Sequence, residues 1–282
     1  MAVTTTYRSR TIKTKRLLSA AGIYALVLLA MTPTLFIFFW MVSLSLKVQV
    51  ENTAYPPVFI PSQPTLNNYR LLGNQFVEYV FNSVIIATGA TVLGMVLGAP
   101  ASFGMVRWRY QRLALVVLVA RIIPAISFLV PWFILFRRMG LLDTYTALIL
   151  SHLVVGLPII IWMLLAFFED VPMELQDAAL IDGCSIYGVF WRVALPLTRP
   201  GLAATAILSF IFSWNNFLFS VILAGRTTRP LPVAVFSLLT YEEINWGPLA
   251  GAAFLITLPV LIITLFMQRH IVTGLSFGAV KG

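Results

Sequence analysis

Apolar positions in this chain do not alternate with polar ones. They form long unbroken runs, and the polar positions collect between them. Six segments carry no charge or almost none: residues 17–46, 79–106, 113–136, 144–168, 201–225 and 245–268. Each meets the requirement of about 20 helical residues for crossing a hydrocarbon core. The pattern predicts an all-α integral membrane protein with six transmembrane helices. A β-barrel is excluded, because its strands run to about 10 residues and alternate apolar with polar. In the third segment Pro124 and Pro131 break the helix, and Arg121 lies within it. There Arg121 has three outlets: to snorkel, to bond freed carbonyls, or to pair with an acid on another subunit.

The connections divide into a segment 1–16, a six-helix domain 17–268 and a tail 269–282. The connection 47–78 carries Pro56, Pro57, Pro61 and Pro64, which suits an ordered extended crossing. The connection 169–200 reads as two short amphipathic helices. Pro172 suits a first helical turn, and Leu175, Ala178, Ala179 and Asp182 share one face. Gly183 supplies the left-handed residue that ends the first helix. Ser185 caps the second, whose stripe Ile186, Val189, Phe190 and Val193 precedes a stop at Pro196. By spacing alone this unit is either a docking surface or a hairpin resting on lipid headgroups.

Composition removes other classes. Of 282 residues, 60% are hydrophobic and only 10% charged, and mean hydropathy is +0.93, which excludes a water-soluble globule. The net charge of +9 would suit nucleic acid, but its placement argues otherwise. With the N-terminus inside, one side holds Arg8, Arg10, Lys13, Lys15, Arg16, Arg107, Arg109, Arg112, Arg192, Arg199, Arg269 and Lys281. The other side holds Lys47, Arg70, Arg137, Arg138, Arg226 and Arg229. This bias places both termini in the cytoplasm and leaves no nucleic-acid role. The first run is too long for a cleaved signal and reads as an anchor. Cys184 is the only cysteine, so neither a disulfide within the chain nor a multi-cysteine metal site exists.

Uphill transport needs an energy source. The chain has no phosphate-binding loop, so ATP acts through another polypeptide if it acts at all. Every Asp and Glu lies in a loop or at a span end, which counts against ion coupling. His152 and His270 belong to no catalytic constellation, and His152 reads as a packed or interhelical hydrogen-bonding residue. The fifth segment carries Ser209, Ser213, Asn216 and Ser220 on one helical face, beside Phe212, Trp214 and Phe217. Such a stripe avoids lipid. Each residue singly suits bonds between helices, and the stripe as a whole reads as a sugar pathway of amides, hydroxyls and aromatic faces. Asn82, at one end of the second segment, has the same two readings.

Asp177-Ala178-Ala179 with Asp182-Gly183, then Phe190, Leu195-Pro196-Leu197 and Pro200-Gly201-Leu202, resembles the "EAA" loop of ABC-importer permeases. The likeness is to the maltose-type carbohydrate-uptake permeases, second subunit of the pair. It extends through Pro61, Thr65–Arg70 and Asn82-Ser83, Arg121–Pro124 with Pro131, Gly140–Thr144, Trp214-Asn215-Asn216-Phe217 and the ending Gln268-Arg269 … Gly278–Gly282. Asp177 stands where Glu is usual and Cys184 where Ala is usual. The resemblance implies a type I importer permease fold in a bacterial or archaeal cytoplasmic membrane. It implies that Asp177, Ala178, Ala179, Asp182, Gly183, Phe190 and Pro196 couple to an ATPase. Asn82, Ser209, Ser213, Trp214, Asn215, Asn216, Phe217 and Ser220 are the pathway candidates. The implied partners are a homologous permease in a heterodimer, two ATPase subunits holding ATP and Mg, and an extracytoplasmic sugar-binding protein. The chain itself holds no cofactor or metal, and the tail 274–282 reaches towards the ATPase or is a disordered end. The rival readings are an ABC permease for a non-sugar solute and an ion-coupled carrier acting without an ATPase.

Overall fold

The computed structural model describes the backbone of residues 3–239 and 244–277, and side-chain surroundings for 22–266 apart from 74, 111 and 240–243. The side chains of Arg8, Arg10, Lys13, Lys15, Arg16, Arg269 and Lys281, and the end of the tail, fall outside the described residues. Two compact units are present, one of residues 1–71 and 245–254, the other of 72–244 and 255–282.

In the first unit, α1 (Val3–Leu46) leads into the proline-bearing connection. Lys47 is fully buried there, with Nζ donating to the Val58 carbonyl and lying 4.3 Å from the Trp40 ring centroid. Burial lowers its pKa, and the nearby Glu51 carboxylate offsets this only in part. Asn68 Nδ2 donates to the carbonyls of Ser45 (2.8 Å) and Lys47 (2.7 Å), so the crossing is ordered, as expected.

The second unit begins at Gly73, whose φ of 68° breaks the helix before α2 (Gln75–Arg107). It continues with α3 (Gln111–Ala120), α4 (Leu129–Arg138), α5 (Tyr145–Glu169), α6 (Met173–Ile181), α7 (Ile186–Leu197) and α8 (Arg199–Trp214). Short turns at Ser220–Leu223 and Leu231–Phe236 precede α9 (Trp246–Phe277), whose start belongs to the first unit. Among the described residues, α1, α2, α5 and α9 are each long and apolar enough to cross a membrane. The pairs α3–α4, bent by 81°, and α7–α8, bent by 79°, raise the number to as many as 6.

Three sequence expectations need correction. Only Pro124 sits at the break in the third segment. Pro131 falls in the first turn of α4, where the missing N–H leaves no bond unmade. The fifth segment is not one helix: α8 ends at Trp214, and two asparagine side chains take over backbone groups on either side of that end. Asn215 Nδ2 donates to the Ile211 carbonyl (2.9 Å), and Asn216 Oδ1 accepts from the Phe219 N–H (3.4 Å), the competition that ends helices at such residues. Pro196 does not stop α7. A π turn at Phe190–Ala194 widens the helix and accommodates the proline ring, and the helix runs on to Leu197.

The core of this unit forms around α5, with α2 and α8 packed along it. Gly98 permits a close approach: a β-carbon there would meet Ile160 Cγ2 at 2.7 Å. Ser102 Oγ bonds across the seam to the Ile161 carbonyl at 3.1 Å. Phe103, Leu164, Phe168, Val189 and Phe190 continue the core beneath α6 and α7.

Candidate coupling and translocation sites

The hairpin of α6 and α7 forms as its residues dictate. Pro172 precedes α6, and Gly183, at φ 86°, ends it, with the Cys184 N–H donating to the Ala179 carbonyl at 2.9 Å. Ser185 Oγ caps α7 by accepting from the Gly188 N–H at 3.2 Å. The apolar side of the hairpin is divided. Gln176 is buried, and Ala179 and Leu180 pack on the core beneath. Leu175, Ala178, Asp182 and Gly183 face outwards, joined by Ile181 (86% exposed), Tyr187 (77%) and Trp191 (64%). A surface with this much exposed apolar area suits contact with another protein or with the membrane surface.

Phe190 departs from the outward-facing set. It is buried, with ring centroids 5.3 Å from Phe103 and 6.3 Å from Phe168, so it fastens the hairpin to the helix ends instead of meeting a partner. A second fastening was not foreseen. Arg107, at the end of α2, donates to Asp177 Oδ1 at 2.7 Å, and its other terminal nitrogen lies 3.6 Å from Met173 Sδ. In sequence Arg107 carries only a topology signal, and no local pattern links it to a residue so far along the chain.

The polar positions of the fifth segment separate into two groups. Ser209, Ser213, Trp214 and Ser220 are buried within the chain. His152 bridges two of them, with Nδ1 2.8 Å from Ser213 Oγ and Nε2 3.1 Å from Ser220 Oγ. Trp214 Nε1 donates to the Ile256 carbonyl at 3.1 Å. Asn215, Asn216 and Phe217 instead line a cavity of about 640 Å³ with Phe212 and Val155. Arg121 is exposed at the bend where α3 ends, between the two halves of the broken third segment.

At the start of α5, one carboxylate holds a whole loop. Asp143 accepts from the N–H groups of Gly225 (2.9 Å), Thr227 (3.2 Å) and Thr228 (2.9 Å), and from the Thr228 hydroxyl (2.7 Å). Burial works against its ionisation, but the Thr228 hydroxyl and the backbone N–H donors outweigh that, holding its pKa well below the usual carboxylate range. Asn82 grips the same loop, donating to the carbonyls of Thr227 (3.1 Å) and Arg229 (2.9 Å) while accepting from the Tyr145 hydroxyl (2.6 Å). Ser83 Oγ accepts from the Leu231 N–H at 2.7 Å.

Comparison with known proteins gives the following. Residues 90–276 match the model of a family described as "Binding-protein-dependent transport system inner membrane component". A probable ABC transporter permease of Sinorhizobium fredii, y4oR, is 38% identical over 88% of this chain and 90% of its own. The trehalose transport system permease protein SugB of Mycobacterium tuberculosis is also 38% identical, over 86% and 91%. Among solved structures, a bacterial ABC transporter that imports the acidic polysaccharide alginate superposes with TM-score 0.74 at 19% identity, covering 91% of this chain and 97% of that one.

Proposed function

Since this chain belongs to the family of binding-protein-dependent transport system inner membrane components, we propose that it is a transmembrane subunit of an ATP-driven carbohydrate importer. The observation that carries this reading is the 38% identity, over nearly the full length of both chains, to a trehalose permease. The hairpin then serves as the coupling element. Leu175, Ala178, Asp182 and Gly183, with Ile181, Tyr187 and Trp191, form its docking side for a cytoplasmic ATPase subunit, and Ala179 packs beneath them. Asp177, Phe190 and Pro196 hold it to the spans. ATP-driven closure of an ATPase pair would move the hairpin as a rigid body and carry the spans between inward- and outward-facing states.

In the same reading, Asn215, Asn216 and Phe217 border the sugar path, since amide edges and an aromatic face suit the hydroxyls and C–H faces of a sugar. Ser209, Ser213, Trp214, Ser220 and Asn82 build the wall behind it. Both termini and the hairpin lie on the cytoplasmic side, the residues 1–16, 17–268 and 269–282 forming entry segment, membrane domain and tail. A homologous permease and an extracytoplasmic sugar-binding protein complete the assembly, and ATP and Mg stay on the ATPase.

The test is gentle purification of the tagged chain from its own membrane, followed by uptake in vesicles. Co-purification of an ATPase and a second permease, with labelled sugar uptake that needs ATP and survives an ionophore, is the expected result. Uptake that persists without the ATPase, or stops with the ionophore alone, overturns the reading in favour of an ion-coupled carrier.

A further inference from the structure

Where α2 turns into α3, the structure contains a second cavity, of about 300 Å³, which the coupling and pathway readings leave unused. Met105 and Val106 from the last turn of α2, Leu165 from α5 and Met173 from α6 give it apolar walls. Arg109 and Glu169 line the same space. Among the described residues neither charge is neutralised, because the one ion pair there joins Arg107 to Asp177. Arg109 is held out of the helix at φ 54°, in a turn closed by the Tyr110 N–H donating to the Met105 carbonyl at 2.8 Å.

The depth of this cavity follows from its surroundings. It lies at the ends of two apolar helices, α2 and α5. Trp108 (56% exposed) and Tyr110 (57% exposed) flank Arg109. Exposed Trp and Tyr at the ends of apolar helices collect at the level of the lipid headgroups, where an apolar ring and a polar tip are both served. A cavity at that level, with one free cation, one free anion and an apolar side, is complementary to a molecule with the same three parts.

We infer that this cavity binds the headgroup and upper acyl chain of a zwitterionic aminophospholipid. The phosphate accepts hydrogen bonds from the Arg109 guanidinium, and the primary ammonium donates to the Glu169 carboxylate. The acyl chain lies along Met105, Val106 and Leu165. A phosphatidylglycerol headgroup satisfies Arg109 but leaves Glu169 beside a second anion. A choline headgroup has no N–H to offer Glu169. The bound lipid touches Met173, the first residue of α6, whose sulfur also contacts Arg107. It therefore sits against the root of the hairpin.

Lipid retention by the complete transporter, purified in mild detergent and read by native mass spectrometry, tests this independently of which solute is carried. Offered equimolar phosphatidylethanolamine, phosphatidylglycerol and phosphatidylcholine, the protein should retain the ethanolamine lipid over the other two by about tenfold, the worth of one charge-assisted hydrogen bond. Glu169→Gln should abolish the preference for ethanolamine over glycerol while keeping phospholipid. Arg109→Gln should reduce retention of all three. Ala114→Phe, which fills the cavity and leaves both charges in place, should release the lipid, and it keeps the test open if a charge variant fails to assemble. Equal retention of the three lipids, or an ethanolamine preference unchanged by Glu169→Gln and by Ala114→Phe, overturns the inference. So does retention of soluble phosphoethanolamine as strong as that of the diacyl lipid, which would assign the site to a free zwitterion.

Discussion

The two ends of α5 are held in opposite ways. At its start, Asp143, Asn82, Ser83 and Tyr145 grip residues 225–231 through a dense set of hydrogen bonds, many of them to backbone groups. At its end, about 37 Å away by helical rise, the hairpin is tied to α2 by one ion pair and a patch of aromatic packing. The Asp143 carboxylate satisfies several donors at once and has no partner charge to exchange. Arg107 and Asp177 meet where the half-buried guanidinium reaches an exposed carboxylate, and pairs open to water on one side contribute little to stability. One end is held by directional hydrogen bonds and the other by apolar packing and an ion pair, two kinds of fastening that respond differently to substitution.

The largest test of this contrast is Gly183→Asp. A β-carbon there meets nothing within 4 Å, so the added carboxylate disturbs only what docks from outside, apart from the left-handed backbone strain of about 1–2 kcal/mol. Uptake should vanish while the protein stays in the membrane, and normal uptake would remove the hairpin from the coupling role. Gly183→Asn, which tolerates the left-handed conformation better, should also fail, separating bulk from strain.

Next in size is Asp143→Ala. Loss of the shared acceptor leaves several N–H donors unmet and should lower thermal stability in detergent by about 3 kcal/mol. The pH dependence has a defined sign. The folded carboxyl titrates below its unfolded value of about 3.9, so its stabilisation is complete above that pH and is lost as pH falls through the folded value. Asp143→Asn should be less stable than wild type at neutral pH, and the gap should close on acidification. A gap that widened instead would show that Asp143 is not held as an anion.

His152→Leu removes the bridge between Ser213 and Ser220. Hydrogen bonds between transmembrane helices average about 0.6 kcal/mol each, so a loss near 1 kcal/mol is expected in the same melting assay. Smallest of all should be Arg107→Gln, under about 1 kcal/mol in stability, yet with reduced uptake. The exchange Arg107→Asp with Asp177→Arg should recover part of that uptake. A melting loss as large as that of Asp143→Ala would erase the contrast between the two ends.

Much of this was legible along the chain because its causes are local. Hydropathy located the membrane helices, Pro124 the bend, and Pro172, Gly183 and Ser185 the hairpin. What stayed hidden depends on pairings between distant segments. Asp143 precedes its donors by more than eighty positions, and nothing in Gly140–Thr144 points to Gly225 or Thr228. Arg107 and Asp177 are 70 residues apart. The break after Trp214 was missed for a different reason. No proline or glycine marks it, and the two asparagines that cause it read in sequence as interhelical bonds or a pathway lining, not as helix-ending residues. The serine stripe kept two readings for a related reason, because spacing cannot distinguish a hydroxyl facing a cavity from one facing a buried imidazole.

The π turn at Phe190–Ala194 has a consequence in angular phase. One residue more than a regular turn requires sets everything after it back by about 100° around the helix axis. The part of α7 that carries Tyr187 and the part that leads into α8 are thus out of step by one position. Deleting a single residue inside the wide turn would bring the two halves into register, whereas an equally small deletion elsewhere in α7 would rotate them apart. The hairpin's aim relative to α8 is therefore set by a count of residues, independently of which side chains stand there.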